Sequence, residues 1–131
     1  MNKKFLITGG AGFIGSHLSD KLLSDNNQVV VIDNLSLGRK SKLNLSLKNK
    51  NFTFIEEDIL DFDLLNSIFK KYNFDTVFHL AANSDIARSH KNPNIDLEMT
   101  FLTTFNILNA MKENDIKKIV FASTSAIYGQ T

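Results

Sequence analysis

Glycines 9, 12 and 15 stand three residues apart in the run Thr8-Gly9-Gly10-Ala11-Gly12-Phe13-Ile14-Gly15. That spacing suits the capture of a diphosphate. Gly9 lets the chain turn sharply after a strand, Gly12 has no Cβ to keep a phosphate from the backbone, and Gly15 lets the next helix pack closely on a sheet. The start of such a helix offers unpaired N–H groups and a partial positive charge to an anion. Asp33 follows 18 residues after Gly15, at the end of the apolar run Val29-Val30-Val31-Ile32. A carboxylate there accepts hydrogen bonds from the hydroxyls of an adenosine ribose. The glycines alone could be a ligand-free turn. Their place between a strand and a helix, with the acid beyond, favours a bound dinucleotide. Asp33 further favours NAD over NADP, because a carboxylate repels a 2′-phosphate. Arg39 and Lys40 lie close enough to offset that repulsion, but read more simply as solvated loop charges.

The elements that must position these residues are legible as alternating short apolar runs and helical stretches. Phe5-Leu6-Ile7, Val29–Ile32, Phe52–Ile55, Thr76–Leu80 and Ile119–Ala122 read as five strands, and their unbroken apolar character suits a parallel sheet covered on both faces. Helices are expected over residues 13–25, with Ile14, Leu18 and Leu22 on one face, and over 61–72, with Asp61 as N-cap. A long third helix is expected from Pro93, in its first turn, to about Asn114. Residues 34–50 read as loop or one short helix, 83–92 as a polar loop, and Ser123 to Thr131 as loop. Strands alternating with helices make an α/β fold with right-handed crossovers. The expectation is a Rossmann-type doubly wound parallel sheet of about five strands in the order 3-2-1-4-5, cut short after the fifth.

Composition narrows the function classes. With 131 residues the chain suits one domain. Fifteen basic and 14 acidic residues leave a net charge of +1, which argues against nucleic-acid partners and a polybasic membrane anchor. No apolar run is long enough to span a bilayer. There is no cysteine, which removes thiolate chemistry and fits a cytoplasmic location. His17 and His90 have no companions at metal-ligand spacing, so no metal is expected. His79, at a strand end among apolar residues, reads as a hydrogen-bonded core histidine.

The stretches TGGAGFIG at 8–15, VIDNLS at 31–36, EDI at 57–59, HLAA at 79–82 and FASTSAIYG at 121–129 together resemble the extended short-chain dehydrogenase/reductase family. The likeness is nearest to its NAD-dependent nucleotide-sugar epimerases and dehydratases, of the UDP-glucose 4-epimerase kind, and spans nearly the whole chain. It implies NAD as cofactor and a role for each matched residue. Phe13 and Ile14 place their backbone at the pyrophosphate. Asp33 holds the ribose, while Asn34, Leu35, Ser36, Leu37 and Gly38 wrap the adenosine. Asp58 and Ile59 meet the adenine. Leu80, Ala81 and Ala82 line the cofactor trough, and Asn83 and Ser84 lie beside the nicotinamide half. Thr124 matches the hydroxyl that bonds the reacting sugar oxygen. Two positions depart from the family pattern. Thr100 stands near the cofactor where Asn is usual, so one hydrogen bond replaces two. Glu57 stands where Gly is usual, and at positive φ it would cost about a kcal/mol or more.

The chemistry implied by the resemblance is hydride transfer between a sugar hydroxyl and NAD, assisted by a Tyr-x-x-x-Lys pair some two dozen residues after the Ser or Thr. Here seven residues follow Thr124, and Tyr128 has no lysine four residues on. The expectation is therefore a single incomplete NAD-binding domain, residues 1–131, lacking the carboxy-terminal substrate domain and inactive alone. A non-catalytic NAD-binding or partner-binding module and an inactive remnant stay open beside it. The implied partners are a nucleotide sugar in the parent enzyme and a second copy through the helix at 93–114. On that helix Leu97, Phe101, Phe105, Leu108 and Met111 form one stripe, extended by Leu102 and Ile107.

Overall fold

The computed structural model describes residues 2–129. Five parallel strands form one sheet: β1 (Lys4–Thr8), β2 (Gln28–Ile32), β3 (Phe52–Ile55), β4 (Thr76–His79) and β5 (Ile119–Phe121), in the order β3-β2-β1-β4-β5. β1 is the central strand. It pairs Leu6 with Val30 on one side and with Val77 on the other. The chain leaves β1 towards β2 and later crosses to β4, so the sheet has a topological switch point at the end of β1, where ligands of doubly wound folds sit. The expected strand order and fold class hold.

The sheet is covered on both faces, as its continuous apolar runs require. One core joins Leu6, Val30, Ile32 and Val77 to Leu65, Ile68 and Phe69 of α2 (Phe62–Tyr72) and to Ile107, Ala110 and Met111 of α5 (Thr103–Glu113). The other joins Ile7, Val29 and Val31 to Leu23 of α1 (Phe13–Ser24) and to Leu43. α2 starts where its cap predicts, with the Asp61 carboxylate accepting from the Leu64 N–H at 3.1 Å.

Several expectations need correction. Of the Ile14–Leu18–Leu22 row of α1, Leu18 and Leu22 pack half-buried against the core and Ile14 does not. Gly15, Ser16, Ser19 and Leu23 are buried, and Ile14 is 66% exposed. Small residues let the helix lie close to the strands, and the Ser16 and Ser19 hydroxyls are satisfied by the carbonyls of Phe13 and Gly15. The polar stretch 83–92 contains a helix, α3 (Ile86–Lys91), capped by Asp85, whose carboxylate accepts from the Arg88 N–H. The long helix is not uniform. Pro93 precedes α4 (Asn94–Asp96), a π-helical segment follows over Leu97–Leu102, and α5 completes it. Residues 34–50 hold two 3-10 turns, Lys40–Leu43 and Ser46–Lys48, and a third spans Ser125–Tyr128. Glu57 is not at positive φ; among the described non-glycine residues that conformation falls on Asn26, Leu35, Asn73 and Asp115. Gln130 and Thr131, read as loop, lie outside the described residues.

Candidate functional site

The carboxyl ends of the strands surround a cavity of about 400 Å³. Its floor is the glycine turn. Gly9 takes φ +69°, and a Cβ there would lie 2.8 Å from the Ala81 nitrogen, so only glycine fits between the ends of β1 and β4. Gly12 differs. Its backbone is extended (φ −81°, ψ −179°), and a Cβ would meet no protein atom closer than the Gly9 oxygen, at 3.3 Å. A side chain there would ask the Gly9 carbonyl to give by a few tenths of an ångström, and the open space it would take belongs to the cavity. Gly12 is also the N-cap of α1, no side chain caps that helix, and no acid stands in its first turn. The first-turn N–H groups and the positive end of the helix dipole are thus left for an anion.

Asp33 lies at the end of β2 on the cavity wall and is 9% exposed. Its Oδ2 accepts from the Ala11 N–H at 2.9 Å, and its Oδ1 from the Leu35 N–H at 2.8 Å. Each oxygen keeps a second lone pair. The two bonds fix the carboxylate while leaving acceptor capacity for a diol. The loop after Asp33 is clamped to the glycine turn, because the Arg39 N–H donates to the Ala11 carbonyl at 3.0 Å. Asn34 reaches the next strand end: its amide donates to Asp58 Oδ2 at 3.3 Å, while Asp58 Oδ1 accepts from the Leu60 N–H.

Most of the residues singled out from sequence meet here. Gly9, Gly12 and Phe13 line the cavity with Asp33, Asn34, Ser36, Leu37 and Gly38, with Asp58 and Ile59, and with Leu80, Ala81, Ala82 and Ser84. The others do not line it. Gly15 is packing: a Cβ would stand 2.5 Å from the Gly10 Cα. Ile14 projects into solvent from the first turn of α1. Leu35 turns into the core beside α1. Asn83 spends its side chain on its own loop, its amide donating to the Asp85 carbonyl, Ser89 Oγ and Asp96 Oδ1. Thr100 Oγ1 accepts from the Asn83 N–H at 3.1 Å. Thr124 follows β5 and is exposed. Glu57 joins the wall beside Asp58, and Ile32, Lys42, Leu60, Met99 and Thr103 join it with no site role read from the sequence. Helical spacing links Met99 to Thr103, but only the packing of the long helix over β4 aims them at the cavity. Lys40, weighed from sequence as a rescuer of a phosphate, instead lays its ammonium over the Phe54 ring at 5.4 Å.

His79 is the core histidine expected. It is 2% exposed, and burial pulls its pKa down to about 4. Its Nδ1 lies 2.7 Å from Thr8 Oγ1 and its Nε2 2.9 Å from Thr104 Oγ1. Thr8 Oγ1 already accepts from the N–H groups of Leu80 and Ala81. Its own proton therefore goes to Nδ1, which leaves the proton of the neutral ring on Nε2, donated to Thr104. Among the described residues no cluster of three or more His, Asp or Glu could hold a metal ion, and no helix is long and apolar enough to cross a membrane.

With this geometry in view, comparison with known proteins is informative. A family model described as GDP-mannose 4,6 dehydratase matches residues 6–131. The UDP-glucose 4-epimerase of Halalkalibacterium halodurans is 45% identical over 125 residues, covering 95% of this chain and 36% of the relative. The crystal structure of UDP-glucose 4-epimerase from Thermotoga maritima with UDP-glucose superimposes with a TM-score of 0.89 at 37% identity, covering 98% of this chain and 40% of that one. The UDP-glucose 4-epimerase of Thermus thermophilus in complex with NAD gives 0.83 at 35% identity, covering 92% and 37%. The chain spans about two-fifths of the length of these relatives.

Proposed function

The chain belongs to the GDP-mannose 4,6 dehydratase family, and from that premise we propose that it is the NAD-binding part of a nucleotide-sugar epimerase or dehydratase. The observation that carries the reading is the pairing of an uncapped helix start, opened by the missing side chain of Gly12, with the fixed carboxylate of Asp33 on the same cavity. The relative from Thermus thermophilus was crystallised with NAD, and the one from Thermotoga maritima with UDP-glucose.

In this proposal the diphosphate lies on Gly9 and Gly12, against the backbone of Phe13 and Ile14, with Gly15 holding α1 close beneath. Asp33 takes the adenosine ribose, Asn34, Ser36 and Gly38 enclose it with Leu35 shaping the bend, and Asp58 and Ile59 flank the adenine. Because β2 and β3 take the adenosine side of β1, the second nucleoside must run the other way, over the end of β4. There Leu80, Ala81, Ala82 and Ser84 form the trough, and Asn83 and Thr100 hold its wall from behind. Bound NAD supplies a hydride acceptor. Thr124 is proposed to bond the reacting sugar oxygen. The 131 residues contain no tyrosine followed four positions later by a lysine. General acid–base assistance is worth about 10²–10⁴-fold, so these residues alone are expected to bind cofactor without turnover. A second copy of the chain is proposed to pack on the exposed row Leu97, Phe101, Phe105 and Leu108.

Calorimetric titration with NAD and NADP tests the assignment. Asp33 repels a 2′-phosphate, and Lys42 is the one cation on the cavity wall among the described residues that could offset it. NAD is expected to bind more tightly by about tenfold or more. Tighter NADP binding would reject the role given to Asp33.

A further inference from the structure

The polar chain around His79, buried at Thr8 and His79 and part-buried beyond them, joins three elements at one point. The N–H groups of Leu80 and Ala81 donate to Thr8 Oγ1, the Thr8 hydroxyl donates to His79 Nδ1, and His79 Nε2–H donates to Thr104 Oγ1. The Thr104 hydroxyl donates to the Thr100 carbonyl at 2.7 Å, and Thr100 Oγ1 receives the Asn83 N–H. The chain of bonds therefore begins at Ala81 and returns to Asn83, enclosing Ala82. Its far side is the π-helical segment Leu97–Leu102, whose widened turn carries Thr100. π-turns inside helices recur at functional sites. Every partner is satisfied, and no buried side-chain polar atom among the described residues lacks one. A fully satisfied buried network rigidifies what it touches.

We infer that His79 is a positioning residue for the second nucleoside of the dinucleotide: through Thr8 and Thr104 it locks the Leu80–Asn83 segment between β1 and the long helix, setting the half of the cavity away from Asp33. The inference rests on the proposed NAD site and adds a division of labour within it. The adenosine half depends on Asp33, Asn34 and Asp58, which share no hydrogen bond with this network.

The division can be read by titrating the chain with NAD and, separately, with AMP. His79→Asn keeps an acceptor for the Thr8 hydroxyl but cannot reach Thr104. Thr104→Val cuts the same link from the helix side without altering the sheet, and Thr104→Ser restores the hydroxyl. Both cutting variants are expected to lose about tenfold in NAD affinity while AMP affinity stays within about twofold, and Thr104→Ser should recover NAD binding. Equal losses for NAD and AMP, or NAD affinity unchanged in both variants, would overturn the inference. A wild-type chain that binds AMP no more weakly than NAD would remove the underlying reading, a result visible before any variant is made.

Discussion

At the scale of single residues, similar side chains do different work. Gly9 and Gly15 serve the fold, since a Cβ at either would press on backbone at 2.8 and 2.5 Å, whereas Gly12 serves the open space in front of it. The sequence spacing marks all three without separating these roles, because the distinction lies in what each faces. His79 has a consequence for stability. In the unfolded chain it titrates near 6.5; folded, burial holds its pKa at about 4. Between those values the unfolded state binds more protons, so acidification favours unfolding. The stability that comes with a neutral His79 is complete above pH 6.5 and is lost as pH falls towards 4, by about 3 kcal/mol over the whole interval. Denaturant titrations at pH 7 and pH 4.5 should show this loss in the wild type and a smaller one in His79→Asn. Equal losses in the two proteins would mean that His79 is not the group responsible.

At the scale of elements, the strands were legible because each is a compact apolar run, and α2 because its apolar period and its Asp61 cap agree. The prediction there is local. Asp61→Ala leaves the Leu64 N–H without its acceptor and should cost about 1 kcal/mol, lowering Tm by about 3–5 °C, with NAD affinity unchanged. No change in Tm would show that water replaces the cap without cost. The errors have physical causes. Helical period places Ile14, Leu18 and Leu22 on one side of α1; Leu18 and Leu22 do pack on the core, but close approach to the sheet puts Gly15, Ser16 and Ser19 at the centre of the contact and leaves Ile14 outside. α3 was hidden because none of its residues is buried, so it has no apolar period to read. The π-helical segment is not legible because no local pattern in residues 97–102 separates a widened turn from a regular one. Residues 34–50 hold two short 3-10 turns with Leu43 buried and Leu45 66% exposed, too short to show a helical period.

At the scale of the whole molecule, the sheet order and the switch point put most of the residues singled out from sequence on one cavity, while Gly15, Leu35, Asn83 and Thr100 stand behind its wall and Ile14 faces solvent. The stripe expected on the long helix divides in two. Ile107 and Met111 enter the core, and Leu97, Phe101, Phe105 and Leu108 stay about half or more exposed. That exposed row is the surface on which the second copy is proposed to pack. Sedimentation should show self-association of the chain and a monomer for the double variant Phe101→Lys, Phe105→Lys; a wild type that stays monomeric at high concentration would contradict the proposed pairing. The account as a whole turns on the space before Gly12. Calorimetric titration of Gly12→Ala with NAD, beside a thermal melt, reads it most directly. The account predicts a retained fold, destabilised by about 1 kcal/mol because Ala is a poorer N-cap than Gly and its Cβ presses lightly on the Gly9 oxygen, and at least about a tenfold loss of NAD affinity. NAD binding as tight as that of the wild type would contradict it.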